Sequence, residues 1–154
     1  MPIETVVRRR PSDLYDLVDV DLPPTDWTMI DQHTIDLFAE STGDHQWIHV
    51  DADRAASGPY GGTIAHGYLS LSLVGPLFAG VLQIEQASMV VNYGLDKVRF
   101  PAPVPVGTRV RLLSRITSAA EVAGGVQIVV HAVVTAEGME KPVCVADAVY
   151  RYFD

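Results

Sequence analysis

The sequence predicts an α+β domain in which one long buried helix near the middle of the chain is followed by several antiparallel strands. Three observations carry this. Residues 67–84 run for 18 positions without a charge. Five stretches rich in β-branched and aromatic residues follow, at about 87–93, 95–100, 108–118, 126–136 and 143–152. No helical crossover separates those stretches, so neighbouring strands are expected to run antiparallel.

Residues 1–26 read as an N-terminal arm over the surface, because charge is dense there and Pro2, Pro11, Pro23 and Pro24 interrupt regular pairing. Residues 27–154 read as one domain. Ile35, Phe38 and Ala39 fall at i, i+3 and i+4, with Asp31 placed to cap the first turn, which predicts a short amphipathic helix ending near Ser41. Gly43 stops it, and residues 44–49 are expected as a loop. Asp51 is placed to cap a second short helix, Ala52 to Ala56.

A loop holding Gly58, Pro59, Gly61 and Gly62 leads into the main helix, expected over about 65–80. Its apolar residues occupy every face, as burial among neighbours requires, and Pro76 is expected to kink or end it. Among the strands, Pro101, Pro103 and Pro105 separate the second from the third, and Gly124 with Gly125 separates the third from the fourth. Val110 with Leu112, and Ile128, Val130 and Val134, alternate so that one sheet face is buried.

The composition narrows the function. A chain of 154 residues, 48% hydrophobic and 19% charged, fits one globular domain and excludes intrinsic disorder. Eleven Lys+Arg against nineteen Asp+Glu give a net charge of -8, the wrong sign for gripping a polyphosphate backbone, so nucleic acid is not an expected partner. The single cysteine, Cys144, forms no intramolecular disulfide and no Cys-rich zinc site, and a reducing cytoplasm is expected. Arg8, Arg9 and Arg10 are followed by Pro11, Ser12 and Asp13 where an export signal needs an apolar core. The uncharged stretch contains Ser70, Ser72, Gly75, Pro76, Gly80 and Gln83, which suits a buried helix rather than a membrane span.

Two clusters can carry chemistry. The first is the polar run Thr42 to Asp51, in which Asp44 and His49 converge if the segment turns, and a carboxylate beside an imidazole can hold a water and move its proton near neutral pH. The plainer alternative has Asp44 capping a turn and His49 bonded to backbone. The second is Gly61 to Gly67 at the entrance to the main helix, where free N–H groups and the positive end of the helix favour a developing oxyanion. There Gly67 leaves the approach open, or alternatively serves close packing. His66 reads as a hydrogen-bonded core histidine. A metal set is weighed too, since His45 and His49 are four apart with Asp44, Asp51 and His66 nearby. It needs a helix through both histidines, which Gly43 opposes, so no metal is expected.

Taken in order, these features resemble the MaoC-like dehydratase family, which includes the (R)-specific enoyl-CoA hydratases. The resemblance rests on Ala39 to Thr42 before Gly43-Asp44, the Asp44-to-His49 interval with Val50-Asp51 after it, and Ile64-Ala65-His66-Gly67 opening a helix. Val98-Arg99-Phe100-Pro101, then Pro103-Val104 and Val106-Gly107, extend it, so that it spans roughly residues 27–152. It implies a hotdog fold, an antiparallel sheet wrapped around a long central helix, paired into a homodimer. It also implies reversible addition of water to the 2,3 double bond of an acyl thioester on coenzyme A. At matching positions Asp44 is the base, His49 holds the water, and the Gly67 N–H binds the thioester oxygen. No separate cofactor is implied, coenzyme A being part of the substrate.

Two departures concern substrate binding. Gln46-Trp47 stands where the hydratases commonly have Asn-Pro, similar to the family's nodulation-protein-N-like branch, and Trp47 there is expected to shorten or redirect the acyl channel. A serine of the hydratases aligns with Gly75, with Ser72 about one turn earlier as a substitute. His66 and Asn92 are further candidates for substrate contact, and Lys97 and Arg99 for the coenzyme A phosphates. Two other activities fit the same fold class: an acyl-CoA thioesterase, and a non-catalytic acyl-CoA-binding subunit.

Overall fold

A computed structural model describes residues 4–154, so Pro2 lies outside the described residues. Its centre is a five-stranded sheet in the order β2-β5-β6-β7-β4, formed by β2 (Thr28–Ile30), β4 (Met89–Arg99), β5 (Thr108–Val122), β6 (Gly125–Ala136) and β7 (Cys144–Phe153). Every pairing in it is antiparallel. The alternation seen in the sequence sets the inner face: Val110, Leu112, Ile128, Val130 and Val134 are all buried there, joined by Ala146 and Ala148 of β7. The β5–β6 hairpin closes on Gly124, at φ +79, and Gly125. A Cβ at Gly125 would stand 2.0 Å from the Tyr152 carbonyl oxygen, so only glycine fits between the strands.

Against the inner face lie α4 (Gly67–Ser72) and α5 (Val74–Val81). Phe78 of α5 is 1% exposed and stacks on Tyr150 of β7, ring centroids 5.2 Å apart. The expected single helix over 65–80 is therefore two helices meeting at Leu73. Pro76 has no N–H to give the Ser72 carbonyl and its ring crowds that position, so the ladder breaks upstream of the proline. Pro76 itself sits in the first turn of α5, where a missing N–H costs nothing. No helix among the described residues is long and apolar enough to cross a membrane.

The short helices form as expected. Asp31 caps α1 (Gln32–Thr42) by accepting from the Thr34 N–H at 2.8 Å, and Asp51 caps α3 (Ala52–Ala56) through the Arg54 N–H at 3.0 Å. The 44–49 segment departs from a plain loop, because Trp47–Val50 wind into one turn of helix, α2. The separate strands expected at 87–93 and 95–100 are one strand, β4, whose register shifts at Asn92/Gly94 and Leu95/Lys97 absorb the glycine without ending the pairing.

The N-terminal segment differs most from expectation. Its described part is no surface arm. Residues 11–17 form a 3-10 helix that buries Leu14 and Leu17, Leu22 joins the same core, and Leu22 and Thr25 donate backbone hydrogen bonds to Ser114 and Leu112 of β5. Spacing of three between leucines suits a 3-10 turn, and the Asp13 carboxylate secures its start by accepting from the Arg9 and Arg10 N–H groups. Strand β1 (Val6–Arg8) pairs in parallel with β3 (Leu82–Ile84), tying this segment to the end of α5. The whole is the hotdog arrangement: a curled antiparallel sheet around a central helical segment.

Candidate active site

The site is assembled where the α1–α2 connection meets the start of α4. Gly43 ends α1 in the left-handed region, at φ +76, and turns the chain so that Asp44 precedes the short helix α2. Helix α2 carries His49 inward, to 6% exposure. The His49 Nδ1–H donates to the Ile64 carbonyl at 2.7 Å, and since a carbonyl only accepts, Nε2 of the neutral ring is left as a bare acceptor. The backbone around it is stitched in turn. Ile64 donates to the Ile48 carbonyl, and the Gln32 side chain donates to the His49 carbonyl at 2.8 Å while accepting from Thr63 Oγ1 at 2.6 Å.

Three titratable side chains converge here. Asp44, His49 and His66 each present one oxygen or ring nitrogen, and these atoms lie within 4.8 Å of one another. That separation suits one water hydrogen-bonded to both Asp44 and His49. Burial pushes the His49 imidazole below its ordinary value, and His66 adds to the lowering; the bond to Ile64 and the Asp44 charge oppose it. The ring is therefore neutral at neutral pH and able to accept from a water.

The same three residues have a spacing that could suit a cation, but the two imidazoles are stacked, centroids 3.8 Å apart and 24° from parallel. Lone pairs in the planes of stacked rings run side by side rather than converging on one ion. His45 takes no part, its ring turned to Glu40 at 3.7 Å. The His45–His49 metal set is thus not assembled, because Gln46 stands as the N-cap and α2 begins only at Trp47.

His49 and Gly67 line one cleft of about 400 Å³ with Tyr60, Ser70, Phe100 and Val104. Gly67 is the first residue of α4, so its N–H has no partner within the helix and is positioned as a donor. With only six residues in α4, that N–H rather than the helix dipole supplies the attraction. Asp44, exposed on its loop, meets the cleft through its approach to His49.

The other candidates lie elsewhere. Trp47 packs against Gly58, with the Arg54 guanidinium 4.4 Å above its ring, and does not line the cleft. Ser72 and Asn92 line a separate apolar groove of about 270 Å³ with Gly75 and Tyr150, since Ser72 is two positions beyond Ser70 and so on the opposite side of α4. Ser72 Oγ donates to the Tyr68 carbonyl at 2.7 Å. Lys97 and Arg99 pair in register with Asp147 and Val145, the outward residues of β7, and lie on the sheet face away from the helices. His66 is 3% exposed, bonded to backbone, and outside the cleft wall. Supporting roles for Gln32, Thr63 and Phe100 were not legible from their types or spacing, because those roles arise from pairings across the chain.

Comparisons with known proteins bear on the family and the fold. Residues 17–138 match the family model described as MaoC like domain. The chain is 50% identical over 129 residues to 3-hydroxyacyl-thioester dehydratase Z of Mycobacterium tuberculosis, covering 83% of this chain and 85% of that protein. It is 50% identical over 102 residues to nodulation protein N of Rhizobium leguminosarum bv. viciae, covering 65% and 63% of the two chains. Among solved structures, R-hydratase PhaJ1 from Pseudomonas aeruginosa has the same fold, with a TM-score of 0.76 at 23% identity over 94% of this chain and 86% of that one. The (R)-hydratase from A. caviae aligns with a TM-score of 0.70 at 21% identity, over 86% and 94%. With a family model matching residues 17–138 and 50% identity to a relative over 83% of this chain, the chain belongs to the MaoC-like dehydratase family.

Proposed function

We propose that the protein is a hydro-lyase that adds water reversibly across the 2,3 double bond of a 2-enoyl-CoA, giving the (R)-3-hydroxyacyl thioester. The observation that carries this is the approach of Asp44 to His49 beside the cleft that Gly67 lines. A water accepted between them donates one hydrogen to Nε2 of His49 and loses the other to the Asp44 carboxylate as its oxygen bonds C3. The electron pair of the double bond moves toward the thioester oxygen, where the Gly67 N–H steadies it. Asp44 then returns its proton to C2, so that one water is consumed and no oxidation state changes overall. No metal or redox cofactor has a step to perform, and coenzyme A enters only as part of the substrate.

A homodimer fits the same reading. Strand β4 is the sheet edge, and Met89, Val90, Tyr93 and Leu95 along it are all exposed. A second copy pairing there would cover them.

The test is loss of the enoyl-thioester absorbance with crotonyl-CoA and longer homologues. Asp44→Asn and His49→Ala are each expected to lower the rate by about 10² to 10³. Undiminished hydration in both variants overturns the assignment. Free thiol released without hydrated product points instead to hydrolysis of the thioester.

A further inference from the structure

We infer that His66 is a positioning residue that holds the Asp44 loop and the His49 ring in register with each other, an inference that rests on the hydratase reading of those two groups. His66 is the N-cap of α4 and is buried, yet it does not line the cleft. Its contacts are with the Asp44 backbone and the His49 ring, and it acts through those neighbours. Its Nε2 lies 2.9 Å from the Asp44 carbonyl oxygen, and because a carbonyl only accepts, Nε2 carries the hydrogen.

That bond matters because little else holds Asp44. The residue is exposed, it follows a left-handed glycine, and its other hydrogen bonds are long: its N–H to Thr42 Oγ1 at 3.4 Å, and its carboxylate from the Gln46 N–H at 3.4 Å. The His66 bond is the short tether between the loop and the start of the helix that carries Gly67. On its other duty, the His66 ring lies flat on His49, with centroids 3.8 Å apart, while Phe38 packs against it at 4.9 Å. One side chain thus fixes the backbone of the base and the plane of the water-binding imidazole.

A purely space-filling role explains His66 poorly. Its Nδ1 is buried with no hydrogen-bond partner among the described residues, a standing cost that phenylalanine would avoid in the same space. The gain that offsets this cost is the Nε2–H bond to Asp44.

The experiment compares kcat and KM for crotonyl-CoA in the wild type, His66→Phe, His66→Gln and Asp44→Asn. His66→Phe keeps a flat ring on His49 but loses the donor; His66→Gln keeps an amide N–H that can reach the Asp44 carbonyl. A tether predicts that His66→Phe lowers kcat roughly tenfold or more with KM within about threefold, and that His66→Gln recovers part of the loss. Should His66→Phe keep kcat within about twofold while Asp44→Asn abolishes turnover, the tether is wrong and the hydratase reading stands. Full activity in Asp44→Asn removes both. If the variants do not fold, long-range proton–nitrogen NMR of the wild-type histidine rings decides the matter. A hydrogen on His66 Nε2 supports the tether, and one on Nδ1 alone overturns it.

Discussion

The face of the Phe100 ring occupies the space where a Cβ on Gly67 would stand, with Cδ2 only 3.0 Å from that point. Glycine at this position therefore does two things at once: it lets an aromatic ring close over the helix start, and it leaves a backbone N–H unobstructed. Gly67→Ala keeps the N–H but must push Phe100, itself 39% exposed, away from its seat. Stability is expected to change by less than about 1 kcal/mol, since alanine is the better helix former. Turnover is expected to fall roughly tenfold as the ring shifts in the cleft wall. Steady-state kinetics beside a urea titration separates the two effects.

Gln32 provides a second, independent check. Its side chain joins the His49 carbonyl to the Thr63 hydroxyl, so Gln32→Leu leaves buried polar groups unpaired. The expected cost is about 1–3 kcal/mol, with a lower kcat because the backbone that carries His49 loosens. Chemical denaturation and kinetics on the same sample measure both.

The state of His49 sets a pH dependence with a definite sign. Burial holds its imidazole below the ordinary 6.5, so activity is expected to be level through neutrality and to fall only on the acid side of that value. For stability, the unfolded chain takes up its proton near 6.5 while the native ring resists until a lower pH. Between those two values the unfolded state binds more protons, so native stability contributed by this residue falls as pH drops and is fully present above 6.5. Urea midpoints measured from pH 7.5 downward are expected to decline less steeply in His49→Gln.

Leu14 tests whether the N-terminal segment belongs to the core. The side chain is fully buried, and Leu14→Ala is expected to destabilise the protein by about 2–5 kcal/mol, the range of a core leucine. A loose arm would tolerate the change with almost no shift in the melting temperature.

Much of this was legible in the residues themselves. Asp31 and Asp51 announced two helix starts through local capping chemistry, and alternation in β5 and β6 announced which sheet face would be buried. What escaped was set by partners distant in the chain. The 3-10 helix at 11–17 looks too charged to be core until β5 is placed beside it. Gly94 reads as the end of a strand, but pairing with β7 carries β4 past it through two register shifts. At the site, Asp44 and His49 stood out by type and spacing. The carbonyl of Ile64, which decides the tautomer of His49, has no signature in sequence, because every residue has a carbonyl. Trp47, Ser72, Asn92, Lys97 and Arg99 had the right chemistry but sit on other faces of their helices and strands, which spacing alone does not reveal.

Leu73 has a consequence for how such a chain diversifies. Its N–H donates to the Leu69 carbonyl at 3.1 Å and its carbonyl accepts from the Leu77 N–H at 3.0 Å, so the two halves of the central helix stay mechanically linked across the junction. Leu71 and Ser72 of α4 border the same groove as Gly75 of α5, so drift in the residues around that groove is felt by the half that begins at Gly67.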